Sequence, residues 1–313
     1  MSEAPDEEEK HVEELIKAIG WALTYTANEP ILLIKLEKFF HPAPAELTST
    51  KEETKALNQR IRRLCENLGG PPQLIITREN EPLDTYDTYA SAALNEILHS
   101  FHRCRRSICR TQVCLMGSEL YKSHPDLLEP KPDDPEVLKQ LQEMTSEMFW
   151  EHAETSYIRL ASFWDRVGQL LDFVFFNIRQ YERDGFPRVL ERIRANYVLQ
   201  FSDIEKAASW TYLWDYGKSE QPDGFKWLTS RRNLLVHSIH LQALAAAKES
   251  ELYKSAFNHL DETARKKLKP DTPESELELL HEHLAAASVL FPAILGLCEL
   301  GVNTKESQKW RVV

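Results

Sequence analysis

YIRLASFWDRVGQLLDFVFFNIRQY, residues 157–181, is the stretch that decides the fold. Its apolar side chains recur at helical spacing, but they leave no polar stripe wide enough for a solvated face. A helix that is apolar nearly all round sits inside a bundle. Backwards, the same pattern extends to Pro135, where Asp134 has the side chain of an N-cap and Pro135 the fixed φ of a first helical residue. Forwards, it runs to about Arg183, and Asp184-Gly185-Phe186-Pro187 ends it. One helix of that length, buried at its middle, needs several others to cover it.

The rest of the chain supplies them. Before it lies SHPDLLEPKPDDPE, residues 123–136, a proline-punctuated connection with no periodicity. A second long helical pattern spans Tyr86 to about Tyr121. An earlier one begins at Thr48–Glu52, with acidic residues in its first turn, and stops at GGPP, residues 69–72. QLIITREN (73–80) is the only strand-like run, and a lone strand does not make a sheet. Val12–Thr26 is periodic and leads into EPILLIKLEKFF (29–40), which Pro42 and Pro44 break. After the central helix come Pro187–Tyr197, Ser202–Tyr216, Phe225 to about Glu249, and Glu274 to about Leu300. These spans predict an all-α protein: a multi-helix up-and-down bundle with long central helices and an N-terminal helical extension. The expected organisation is a helical region at 1–80 with its first ten or so residues disordered, the bundle at 81–302, and a tail at 303–313.

Composition narrows the function classes. With 313 residues, 42% of them apolar and only 10 Gly, the chain has enough material for a helical core. A net charge of −11 argues against a general nucleic-acid coat, whose affinity depends on neutralising phosphates, but leaves room for a local basic site. The longest apolar run, LLDFVFFNI (170–178), is too short for a bilayer, and the acidic opening is unlike a signal peptide. The expectation is a cytoplasmic protein with no membrane partner. Cys104, Cys109 and Cys114 are five apart, about 140° around a helix, so they do not converge, and they read as inert thiols. His281 and His283 point about 200° apart and read as a solvated face. His99 and His102, at i and i+3, lack a third ligand. No metal and no cofactor is called for, and no phosphate loop, G-x-S-x-G or H-E-x-x-H is present.

RRNLLVHSIH, residues 231–240, is left. Two arginines, an asparagine and two histidines sit on an otherwise apolar helix, and buried Arg or His needs a partner. Arg232 and His237 are separated by four residues, which sets them about 140° apart and one turn along, a gap a long Arg side chain can span. His titrates near neutrality and suits proton transfer, while the Arg fork suits phosphate oxygens.

Arg232-Asn233-x-x-x-His237 resembles the signature of the HEPN superfamily, an Arg, four to six residues, then His, often with Asn directly after the Arg. Arg231 also satisfies the spacing, but the Asn favours Arg232. The resemblance implies a metal-independent endoribonuclease, used in such families as a defence or toxin-type effector, with RNA as substrate. It implies a composite site across a homodimer, and an effector of this kind leaves room for a regulatory protein partner. His237 would be the acid/base, Arg232 would stabilise the phosphorane, and Asn233 would position them. Arg231 and His240 would contact substrate, and Asp165 would orient the motif arginine. Other readings stay open. Arg232 could form a buried salt bridge with Asp165 or Asp215, with His237 a core imidazole. The domain could be a noncatalytic RNA-, nucleotide- or protein-binding module. Arg188, Arg192 and Arg194 could be a solvated face or a phosphate path.

Overall fold

In the computed structural model, residues 7–40, 46–68, 89–127, 134–178, 185–237, 240–242 and 269–309 are described. No strand occurs among them. The strand-like run at 73–80 lies outside the described residues.

Helices are numbered in chain order. The central one is α4 (Pro135–Phe176). Its start is local chemistry: the Asp134 carboxylate accepts the Glu136 N–H at 2.9 Å, with Pro135 in the first turn. It ends seven residues before the expected Arg183, because Asn177 adopts the left-handed conformation (φ 57) and its N–H bonds the Phe173 carbonyl at 2.9 Å. Asn is among the few residues that tolerate that cap. From Ala153 to Phe175 most of α4 is buried, including Tyr157, Leu160, Trp164, Val167, Leu171 and Val174.

The preceding helix α3 (Tyr89–Ser123) runs antiparallel along α4, with Leu94, Ile97, Phe101, Cys104 and Ile108 in the seam. Two serines lock the seam's polar centre: Ser156 Oγ donates to Ser107 Oγ at 3.0 Å. The cysteines are enclosed, and burial pushes the Cys104 and Cys109 thiols up to about 12 and Cys114 to about 11. Such thiols stay protonated and unreactive.

The third long helix is the last, α9 (Pro273–Lys309), which packs on α3, α4 and α7 (Ala208–Lys218). It passes through Pro292 and continues beyond Leu300 into the segment expected as a tail. Its stretch Pro273–Thr304 is long and apolar enough to cross a membrane by length and composition, with mean hydropathy 1.9. In the fold it is a core helix, burying Leu280, Leu284, Phe291, Ile294, Leu295 and Cys298.

Shorter elements close the bundle. α5 (Phe186–Ile193) continues into a π-helical turn at Arg194–Val198, followed by α6 (Ser202–Glu205) and then α7. The helix expected over Ser202–Tyr216 is therefore interrupted between α6 and α7. α8 (Phe225–His237) lies on α4. The N-terminal region joins the same core. α2 (Lys51–Leu68) buries Leu64 and ties Arg60 to Glu299 at 2.6 Å. Its N-terminus is a capping box, in which Glu53 accepts the Thr50 N–H at 3.0 Å and Thr50 Oγ1 accepts the Glu53 N–H at 3.1 Å. α1 (Glu7–Phe40) is one helix running through Pro30. Part of the opening segment expected as disordered, from residue 7 on, is therefore helical.

Candidate functional site

α8 carries the Arg–His motif. Its inner face is set by Trp227, Leu228, Arg231 and Leu234, all buried against α4 and α9, which leaves Asn233, Val236 and His237 outward. The helix is held by aromatic packing: the Trp227 ring lies 5.9 Å from Tyr157 of α4 and stacks at 5.8 Å on His283 of α9.

The two adjacent arginines have opposite fates. Arg231 is 1% exposed. Its guanidinium stands 4.6 Å from the Trp227 ring centre and 5.4 Å from that of Tyr157, and its Nη1 is 3.2 Å from the Glu276 carboxylate. Burial pushes the Glu276 carboxyl above its usual range, and Arg231 opposes this. A substrate at the surface does not reach this group, so the substrate-contacting role expected for Arg231 does not fit its position. The buried ion pair considered for Arg232 belongs to its neighbour.

Arg232 is half-buried on the shoulder of α8, and its Nη1 donates to Asn233 Oδ1 at 2.9 Å. Asn233 thus props the arginine head toward the surface. Asp165, one face of α4 away, is half-buried; desolvation raises its pKa, while the positive charge of Arg232, then Arg166, pulls it back. Asp165 and Arg232 are thus coupled through space rather than by a short ion pair.

His237 is the last residue of α8 and is exposed. His240 follows, with its side chain 80% exposed and Nδ1 3.1 Å from a Glu154 oxygen. The other Glu154 oxygen accepts the Leu241 N–H at 2.6 Å. Glu154 therefore clamps the chain just beyond the motif. Arg232, Asn233 and His237 occupy one solvent arc of α8, with Asp165 and Glu154 on α4 beneath its two ends.

Sequence reasoning missed Glu154, Glu276, Tyr157 and Trp227 as the frame of this helix. It also placed His281 and His283 on a solvated face. His283 is fully buried, and His281 is half-buried with Nε2 3.2 Å from Gln112 Oε1. The reason is that α9 is central and is covered on the side where an edge helix would meet water. Desolvation lowers the His283 pKa to about 3, so it is neutral. The phosphate path considered for Arg188, Arg192 and Arg194 is also partly spoken for. Arg192 pairs with Asp172 at 2.6 Å, and Arg194 lies 5.0 Å over the Trp214 ring.

Among the described residues no three His, Cys, Asp or Glu side chains gather as a metal site would need. What the arrangement offers is one cation and one imidazole at an open surface, which can hold a phosphate and move a proton. Comparison with protein-family models, with curated proteins and with solved structures found no match.

Proposed function

We propose that the chain is an HEPN-type, metal-independent endoribonuclease. The observation that carries this reading is the separation of the two arginines. The Asn-flanked Arg232 stays at the surface on the arc that holds His237, while Arg231 is spent on the core. A motif serving only the fold would be expected to turn Arg232 and His237 inward as well.

The chemistry follows from the residue types. RNA cleavage proceeds by attack of the 2′-oxygen on the adjacent phosphorus, with the 2′-proton leaving to a base and the 5′-oxygen of the next nucleotide leaving with a proton. The products are a 2′,3′-cyclic phosphate and a 5′-hydroxyl, and no water or metal enters the balance. His237 takes the first proton. Arg232 holds the non-bridging oxygens as negative charge builds on the phosphorane. One chain provides a single imidazole in this arc, so the second proton comes from His237 of another copy across a two-fold axis. The same observation favours the second reading, a noncatalytic module that binds RNA, if the copies do not meet.

The test is cleavage of a labelled RNA in EDTA by wild type, His237→Ala and Arg232→Ala. The expected result is cleavage by wild type to cyclic-phosphate ends, with a loss of at least about a hundredfold in His237→Ala. Undiminished cleavage by both variants, or none by wild type on any RNA, overturns the ribonuclease reading.

A further inference from the structure

A cluster of arginines outside the motif has no assigned task. Arg103, Arg106 and Arg110 follow one another along α3, and Arg159 of α4 leans across the seam so that its Nη1 donates to the Arg103 carbonyl at 3.3 Å. Carboxylates answer only part of this charge. Glu29 of α1 holds Arg110 at 2.6 and 2.8 Å, and Glu96 is 3.9 Å from Arg103. Glu46 and Glu37 face Arg105 at 3.3 and 3.8 Å, and Glu29 and Glu37 feel the charge of Arg106 from a greater distance, although burial disfavours the Glu37 charge. Among the described residues no carboxylate lies within 4.0 Å of Arg106 or Arg159, and the buried Nε of Arg106 has no hydrogen-bond partner. Burial and the charges of Arg110, Arg103 and Arg106 act together to lower the Arg159 pKa. Like charges held this close destabilise a fold unless an anion joins them.

The cluster shares a surface with the motif. Arg159 and Asp165 are six residues apart on α4, about 9 Å along the axis and about 120° around it. Between them α4 presents the uncharged Ser162 on its outer side, and the next charge along, Arg166, is paired with Glu96 of α3 at 3.0 Å. A strand gripped by Arg232 beside Asp165 would cross α4 over Ser162 and meet Arg159 within a few nucleotides. Arg103 is 61% exposed, Arg106 and Arg159 are half-buried, and the three follow the α3–α4 seam rather than lining an enclosed cradle. That geometry suits a polyanion touching several sites in turn more than a small phosphate ligand, which needs concave walls.

We infer that Arg103, Arg106 and Arg159 form a backbone-phosphate site for single-stranded RNA, continuous across α4 with the Arg232–His237 arc. It rests on the RNA-directed reading of that arc and explains how a chain of net charge −11 binds a polyanion. The site positions RNA and takes no part in bond breaking.

The test is binding of a short 2′-O-methyl RNA, which lacks the attacking hydroxyl, to the full-length protein over a salt series. Arg106→Gln/Arg159→Gln should weaken binding about tenfold and reduce the slope of log K against log salt by about 1.4, at ~0.7 per single-strand phosphate contact. Lys55→Gln/Arg62→Gln removes equal charge from the exposed face of α2 and should change neither. Arg159→Gln should melt no lower than wild type, because repulsion is relieved. An unchanged affinity and slope in the α3–α4 variant, an equal loss in the α2 variant, or no binding by wild type overturns the inference. So does a melting temperature several degrees lower in Arg159→Gln, which would mark a structural role. RNA binding that depends on these arginines, in a protein that cleaves nothing, would keep this site and discard the nuclease.

Discussion

At the scale of single residues, the pair Arg231–Arg232 shows how one step along a helix separates a structural charge from an available one. Arg231 loses its water and recovers the loss from Glu276 and two aromatic faces. Removing one partner of such a pair strands the other, so Arg231→Ala should destabilise the protein by about 3–5 kcal/mol, whereas Arg231→Met with Glu276→Leu should be close to neutral. Chemical denaturation of the three proteins checks this, and an equal loss in the double variant would refute it. The stranded carboxyl also makes the single variant pH-sensitive. Glu276 is already pushed above its usual pKa, so the folded state holds its proton longer than the unfolded state does. Stability of Arg231→Ala should therefore fall as pH rises above the ordinary carboxylate range. His283 acts in the opposite sense. Its folded pKa is about 3 against 6.5 in the open chain, so between these values the unfolded state binds more protons. Stability is lost as pH falls through that window, with a slope approaching about 1.4 kcal/mol per pH unit. His283→Phe keeps the ring against Trp227 and should flatten the acid limb of the denaturation curve between pH 6.5 and 4; an unchanged slope would assign the limb to other groups.

At the scale of elements, the helices are legible in the chain wherever local chemistry defines them. Asp134-Pro135 marks the start of α4 and Thr50 with Glu53 the start of α2, because caps act within four residues. Ends were harder to read. The α4 pattern continues to Arg183, but the helix stops at Asn177, a decision taken by a single left-handed residue that lets α5 fold back. Which face of α9 is buried was not readable either. Glu276 and His283 look like surface residues in a helical repeat, and only contact with Arg231, Tyr157 and Trp227 reveals otherwise. The candidate site divides along the same line: Arg232, Asn233 and His237 were found from their spacing, whereas Glu154 is a distant residue that geometry alone connects. The return of α5 onto α4 depends on close approach at Gly168, where an added Cβ would stand 3.1 Å from Phe186 Cα. Backbone cannot swing aside as a side chain can, so Gly168→Ala should cost about 1–3 kcal/mol despite Ala's better helix propensity. Thermal denaturation decides it, and a stabilised variant would show that α5 can shift freely.

At the scale of the whole molecule, the bundle solves a charge problem that composition only poses. Acidic residues dominate the total, but arginines gather on the α3–α4 seam, so the proposed RNA would meet a local field of the opposite sign there. The fold also leaves apolar surface open: Val12, Leu15, Ile16, Ile19 and Leu23 form an exposed stripe on α1, and Met116, Met144 and Met148 are exposed at the junction of α3 and α4. Association would remove such surface from water. The proposed chemistry requires association as well, since one His237 accepts the 2′-proton and a second delivers a proton to the 5′-oxygen. If the reacting unit is a pair of 36.3 kDa chains, cleavage per chain depends on the fraction paired. Below the dimer dissociation constant that fraction falls in proportion to concentration, so total rate should scale with the square of protein concentration there and linearly above it. Rates measured over a thousandfold dilution, beside sedimentation of the same samples, would show both regimes with the break at the concentration where mass halves. A linear rate across the whole range, in samples that sediment as single chains, would leave each arc working alone. The second proton would then have to come from within one chain, where His240, held to Glu154 at 3.1 Å, is the nearest imidazole along the sequence to His237.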